Sequence, residues 1–251
     1  MLGVRISAKL QIMGNFSDRY SNDIEEDRLF RLTAPHYDEV QETIATEIRA
    51  TFANHPSEVL SMLEIGCGTG LTTEIILQAD PRIHLKAIDN EAGIVEAAQL
   101  RFEDKETDRL SIICADALEY LKQQKNESFD AILSAMVLHN LPAKYRREVY
   151  VEIWRTLKKE GLFMNVDKYA QEHEEEHQKA LAWQLEQFTI FDEVGRPDQH
   201  EKWRKHYLED EKPEVILRED DFIHDLKSLG FSDLTRVYRC QMEASYIARK
   251  F

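Results

Sequence analysis

The stretch Val59-Leu60-Ser61-Met62-Leu63-Glu64-Ile65-Gly66-Cys67-Gly68-Thr69-Gly70-Leu71 decides the fold. It is an apolar run that stops in a turn holding three glycines within five positions. The next residues, Thr72-Thr73-Glu74-Ile75-Ile76-Leu77, read as the opening of a helix. A buried strand that feeds a glycine-dense turn and then a helix is a device for cradling a nucleotide. Glycine tolerates positive φ and lets a ligand approach where a Cβ would collide.

Downstream of Glu58, short apolar strands alternate with amphipathic helices, the pattern of βαβ units and a parallel sheet. Strands are predicted over 59–65, 85–88, 110–114, 129–134 and 162–166. The helix before the fifth strand carries Tyr145, Val149, Ile153 and Leu157 four apart, and Lys158-Lys159-Glu160-Gly161 reads as its stop, cations followed by glycine. Between 170 and 217 the alternation breaks into polar helical stretches bearing Trp183, Leu185, Phe188 and Phe191. It resumes with a helix over 219–229, stopped by Gly230, and two further strands with no helix between them, expected as an antiparallel pair. Upstream, Tyr37, Val40, Ile44 and Ile48 mark a helix started by Pro35. A second helix is expected over 16–31, after a loose arm over 1–15.

The chain has 251 residues, enough to bury a full core without disulfide staples. Its net charge of −15 makes a poor surface for phosphate backbones or anionic lipid, so neither nucleic acid nor membrane is an expected partner. The three cysteines, Cys67, Cys114 and Cys240, sit in apolar contexts and read as reduced thiols. Met1-Leu2-Gly3-Val4-Arg5 lacks the apolar region of a signal peptide, and no run approaches a spanning helix, so a cytoplasmic location is expected.

A doubly wound sheet places its ligands at the carboxyl ends of its strands. Three signals stand there. The glycine turn holds Gly66, Cys67, Gly68 and Gly70. Asp89, 19 residues beyond Gly70, ends the second strand and can accept from both hydroxyls of a ribose. Asp116 ends the third, placed for an exocyclic adenine amine, with the Ala117 N–H available to a ring nitrogen. The turn is G-x-G-x-G, and Leu71 stands where a dinucleotide fingerprint needs Gly or Ala, which argues against a dehydrogenase.

The segments LEIGCGTG (63–70), AIDN (87–90), ADAL (115–118) and FDAILSAMVLHNL (129–141) resemble the class I S-adenosylmethionine-dependent methyltransferases. The resemblance implies an α/β, Rossmann-like, doubly wound sheet of seven mostly parallel strands with the last reversed. It implies S-adenosylmethionine as cofactor, its amino-acid end on the glycine turn, its ribose on Asp89, and Asn90, Asp116 and Ala117 flanking adenine. The chain then divides into an N-terminal helical cap (1–57), a cofactor-binding core (58–169), a helical lid (170–217) and the end of the core (218–251). A narrower likeness links Arg31-Leu32-Thr33-Ala34-Pro35-His36-Tyr37 to the carboxy-S-adenosylmethionine synthases, which makes Tyr37 a cofactor contact and Arg204 a candidate for gripping a carboxylate. Gly68 and Ser134 depart from that group, which carries Ser and Asn there, and Ser134 is retained as a cofactor-edge candidate.

The expected function is methyl transfer to a small-molecule acceptor, with a homodimer as the oligomer considered. The alternatives are a carboxylated-cofactor synthase and a non-catalytic cofactor-binding module. His139, just past strand four, is the candidate base, histidine being the residue type whose ordinary titration range suits that task. Asp167 is a candidate substrate contact, and Arg204, His206 and Tyr207 of the insertion are candidates for binding an acidic substrate. His173-Glu174-Glu175-Glu176-His177 matches H-E-x-x-H but lacks a third ligand and a protease context, so it reads as a solvated charged helix and no metal is expected. Cys67 reads as a packing residue.

Overall fold

The structure, a computed structural model, describes residues 31–104 and 108–251. The arm and helix expected over 1–30 lie outside the described residues. Seven strands form one sheet: β1 (Leu60–Ile65), β2 (Ile83–Asp89), β3 (Leu110–Cys114), β4 (Phe129–Ala135), β5 (Leu157–Lys168), β6 (Phe231–Cys240) and β7 (Glu243–Lys250). Their order is β3-β2-β1-β4-β5-β7-β6, with β7 antiparallel to both neighbours. The order therefore reverses between β1 and β4, the position where a doubly wound sheet opens a crevice.

Alternate residues of β1 serve opposite layers, as the period of two in a strand requires. Leu60 and Met62 pack with Ile44, Ile48 and Phe52 of α1 (Tyr37–Phe52) and Ile76 of α2 (Leu71–Ala79). Leu63 and Ile65 pack on the other side, in the layer of Val149, Tyr150 and Ile153 of α5 (Ala143–Thr156) and Phe222 and Leu226 of α9 (Glu219–Leu229). Two further helices complete the core, α3 (Ala92–Phe102) and α4 (Ala117–Gln123). The glycine turn hangs from this doubly buried strand, which holds it rigidly.

Helix α5 stops at Thr156, and 157–168 is one continuous strand, so Lys158-Lys159-Glu160-Gly161 is not a helix stop. Leu157 already pairs with Phe129, and the register then jumps to Ala131 opposite Leu162. The extra residues bulge through Glu160 at φ 61°, while Lys158 Nζ donates to both oxygens of buried Asp130 at 2.9 Å. A bulge and a helix stop both use glycine and lysine, which is why the local sequence misleads here.

The 170–217 segment folds as α6 (Glu174–Gln187), α7 (Ile190–Glu193) and α8 (Pro197–Glu209). Ala180, Leu181, Phe188, Phe191, Trp203 and Tyr207 form its own small core, closed by Met242 from the β6–β7 turn. This lid is tied to β5 where Lys168 Nζ donates to Asp210 Oδ2 at 2.9 Å, and to the segment before α1 where Gln184 Nε2 donates to Thr33 O at 3.1 Å.

Glu64 stands in the middle of β1, 1% exposed, accepting from Thr73 Oγ1 at 2.6 Å. Burial pushes its carboxyl from 4.5 up to about 8, Thr73 opposing and Asp89 adding to the rise. The folded state thus holds a proton that the unfolded chain releases. Its contribution to stability is fully present below pH 4.5 and is lost as pH rises to about 8. Glu64→Gln removes this slope, so urea midpoints of the variant vary less across that window than those of the parent.

Candidate functional site

At the crevice, Gly66 adopts φ 73° and packs so tightly that a Cβ would stand 2.2 Å from Val137 Cγ2. Gly68, at φ 54°, has nothing within 4 Å of where a Cβ would be, because it faces the open cleft. Gly68 N donates to Asp89 Oδ2 at 3.0 Å, and Glu91 N donates to Oδ1 at 3.1 Å. Asp89 is thereby fixed with further lone pairs available to a diol. Burial raises its carboxyl above the usual range, against the lowering by those N–H groups. Asp116 caps α4, accepting Glu119 N at 3.0 Å, and the Tyr145 hydroxyl donates to it at 2.6 Å.

One cleft joins these groups. Gly66, Cys67, Gly68, Asp89, Asn90, Asp116 and Ala117 line it, together with Tyr37, His139 and Tyr207. Burial pushes the Cys67 thiol far up, with Glu64 and Asp89 adding to the rise, so it is no nucleophile. Four of the expected residues stand elsewhere. Gly70 is the left-handed cap before α2 (φ 90°), and its absent Cβ makes room for Phe102, 2.7 Å away. Ser134 lies buried within β4, below the cleft, its hydroxyl without a partner among the described residues. Asp167 is wholly buried behind His139 and reaches no substrate position. Arg204 is exposed on α8, one residue and about 100° round the helix from inward-facing Trp203. The carboxylated-cofactor reading thereby loses its arginine.

On the β4 side of the cleft, His139 sits in a short 3-10 turn (Leu138–Asn140). Its backbone N–H donates to Asp167 Oδ2 at 3.1 Å, and its ring Nδ1 pairs with Asp167 Oδ1. A carboxylate on Nδ1 makes that nitrogen the N–H tautomer and leaves the Nε2 lone pair free to act. Trp203, His206 and Tyr207 of α8 roof this side, and Glu243 of β7 lines it. Burial raises the Glu243 carboxyl, with His36 and His139 partly offsetting the rise.

Sequence reading missed Tyr145, Asp210 and Glu243. Tyr145 carried a signal, since it was read as an apolar helix position although its hydroxyl needs a partner. The others lie on helix and strand ends whose facing partners only the fold supplies. In the HEEEH segment, His173 is the exposed residue before α6, whereas His177 is buried against Glu211, Nε2 to Oε2 2.5 Å. The helix is therefore solvated along its glutamates but not at His177.

A family model described as a methyltransferase domain matches residues 62–161. A malonyl-[acyl-carrier protein] O-methyltransferase of Paenibacillus sp. (strain JDR-2) is 31% identical over 111 residues, 41% of this chain and 40% of that one. The chain thus aligns with well under half the length of that relative. The enzyme of the same name from Bacillus anthracis is 24% identical over 236 residues, 87% of this chain and 84% of that one. An O-methyltransferase family protein from Burkholderia thailandensis shares the fold, with TM-score 0.61 and 15% identity, over 91% of this chain and 59% of that one. The strand order, the reversed β7 and the matched domain define a class I methyltransferase fold. Residues 62–161 match a methyltransferase domain, and the chain is similar to the S-adenosylmethionine-dependent methyltransferases of that class. Among the described residues, no helix is long and apolar enough to cross a membrane.

Gly70→Ala should cost about 1–3 kcal/mol of stability, from positive φ and the collision with Phe102. Chemical denaturation checks this. S-adenosylhomocysteine affinity should change by less than about threefold, a difference under about 0.7 kcal/mol.

Proposed function

We propose that this protein transfers the methyl group of S-adenosylmethionine to a small-molecule acceptor enclosed between His139 and the lid. The observation that carries this is the single cleft onto which the glycine turn, Asp89, Asp116 and His139 all open. The cofactor fits the chain's own donor set: backbone at open Gly68 for the amino-acid end, the fixed Asp89 carboxylate for the ribose hydroxyls, and Asp116 with the Ala117 N–H for adenine. Tyr37 and Asn90 border the same space.

When bound, S-adenosylmethionine supplies an electrophilic methyl carbon on a positively charged sulfur. The protein's task is then alignment, exclusion of water and removal of a proton from the acceptor. Trp203 and Tyr207, mostly buried in the lid core, shut the acceptor end from solvent. His139 Nε2 takes the proton, and Asp167 on Nδ1 holds the ring and balances the imidazolium that forms. An oxygen acceptor is favoured by the relatives whose names state O-methylation, one of which aligns over most of this chain. In those relatives the named acceptor is a malonyl group on a carrier protein. A carrier-delivered acyl group is therefore the second reading.

Isothermal titration should show S-adenosylhomocysteine binding at micromolar Kd or tighter, and no binding would defeat the cofactor assignment. Asp89→Ala should weaken that binding about tenfold or more, because ribose hydroxyls then face a polar gap.

His139→Ala should lower kcat about 10²-fold or more while leaving S-adenosylhomocysteine affinity nearly unchanged. Equal turnover in the variant would remove His139 from the reaction.

A further inference from the structure

The lid brings a second imidazole and a carboxylate to the same place as His139. His206 is in the last turn of α8, and Asp210 caps that helix four residues on, so both project from one face. His139 Nε2 lies 3.7 Å from Asp210 Oδ2, and His206 Nε2 lies 3.5 Å from the same oxygen. One ligating atom from each of the three residues falls within 4.8 Å of the others. Around a tetrahedral ion with bonds near 2.0–2.1 Å, neighbouring donors stand about 3.3 Å apart. The three groups are therefore a few tenths of an ångström to about 1.5 Å from that spacing.

We propose that His139, His206 and Asp210 form a binding site for one divalent transition-metal ion, at the acceptor end of the cleft. Two imidazoles and one carboxylate favour Zn²⁺, Fe²⁺ or Ni²⁺ over Mg²⁺ and Ca²⁺, which take oxygen ligands. The support expected behind a ligating histidine is present, since Asp167 holds His139 Nδ1 and so presents Nε2 outward. The charge also suits a cation. Lys168 Nζ donates to Asp210 Oδ2 at 2.9 Å and lies 4.3 Å from the centre of the Tyr207 ring. This ammonium pairs with the carboxylates of Asp210 and Glu211, and a third carboxylate, Asp167, stands behind His139.

His139 and His206 both line the cleft, so an ion between them is open to the acceptor. With such an ion bound, an acceptor hydroxyl on it would be acidic enough to give its proton to water near neutral pH, and Nε2 would serve as ligand in place of the base role it has without the ion. The ion would also fasten the lid, through His206 and Asp210, to the turn after β4. The position of the acceptor rests on the methyltransferase reading, whereas the ion site stands on its own geometry.

The untagged full chain, stripped with a chelator, is titrated with Co²⁺ and followed by visible absorption and metal analysis. One Co²⁺ per chain is expected, displaced by Zn²⁺ but not by excess Mg²⁺. His206→Ala and Asp210→Asn should each weaken uptake about tenfold or more, as loss of a ligand requires. His173→Ala, which removes an exposed imidazole, should leave uptake unchanged. S-adenosylhomocysteine binding and far-UV circular dichroism report whether each variant is folded. No Co²⁺ uptake by the parent, or equal uptake by folded His206→Ala and Asp210→Asn, overturns the site. Failure of the parent to bind S-adenosylhomocysteine would instead overturn the methyltransferase reading and leave the ion site standing.

Discussion

The Asp167 carboxylate is the interaction on which the acceptor side of the molecule depends. It is fully buried at the end of β5, where an unpaired charge would cost several kcal/mol. Four donors surround it: the backbone N–H of His139, the His139 ring, the Asn165 amide and the backbone N–H of Lys168. Two of these come from the turn after β4, so satisfying the charge fixes where that turn lies. The imidazole is held by both its own backbone and its own ring, which leaves little freedom at Nε2.

The cofactor side is set by backbone geometry instead. Asp89 is held by two N–H groups, one from the glycine turn and one from the residue opening onto α3. The glycine turn and Asp89 are therefore parts of one hydrogen-bonded loop, built at the point where strand order reverses. The lid contributes no such rigid frame to that side. Its own aromatic cluster forms its core, and Trp203 and Tyr207 face both that cluster and the cleft.

The sheet and the cofactor side were legible in the sequence because each signal ends its own strand. Apolar runs located β1 to β4, and Gly66 to Gly68, Asp89 and Asp116 followed from the places where those runs stop. Contacts between distant elements were not legible. His206 and Asp210 look like any polar positions of an amphipathic helix until α8 is docked over His139. Arg204 drew attention through its charge, yet the inward direction belongs to its neighbour Trp203, and one residue's rotation separates the two. Asp167 was visible as a strand-end acid, but only the packing of β4 against β5 shows that it faces a histidine and not a ligand. The bulge after Leu157 was misread because lysine and glycine also end helices, and no local pattern records that Lys158 reaches Asp130.

The contact between Gly66 and Val137 links the two sides. The Val137 methyl groups occupy the space that a side chain at 66 would need, within 2.2 Å of where its Cβ would lie. The turn that receives the cofactor and the turn that presents His139 are thus pressed against each other across the sheet's crevice. Neither can shift far without displacing the other. A side chain at 66 would therefore need both a smaller residue at 137 and a backbone that tolerates φ 73°, so remodelling either turn is felt at the other.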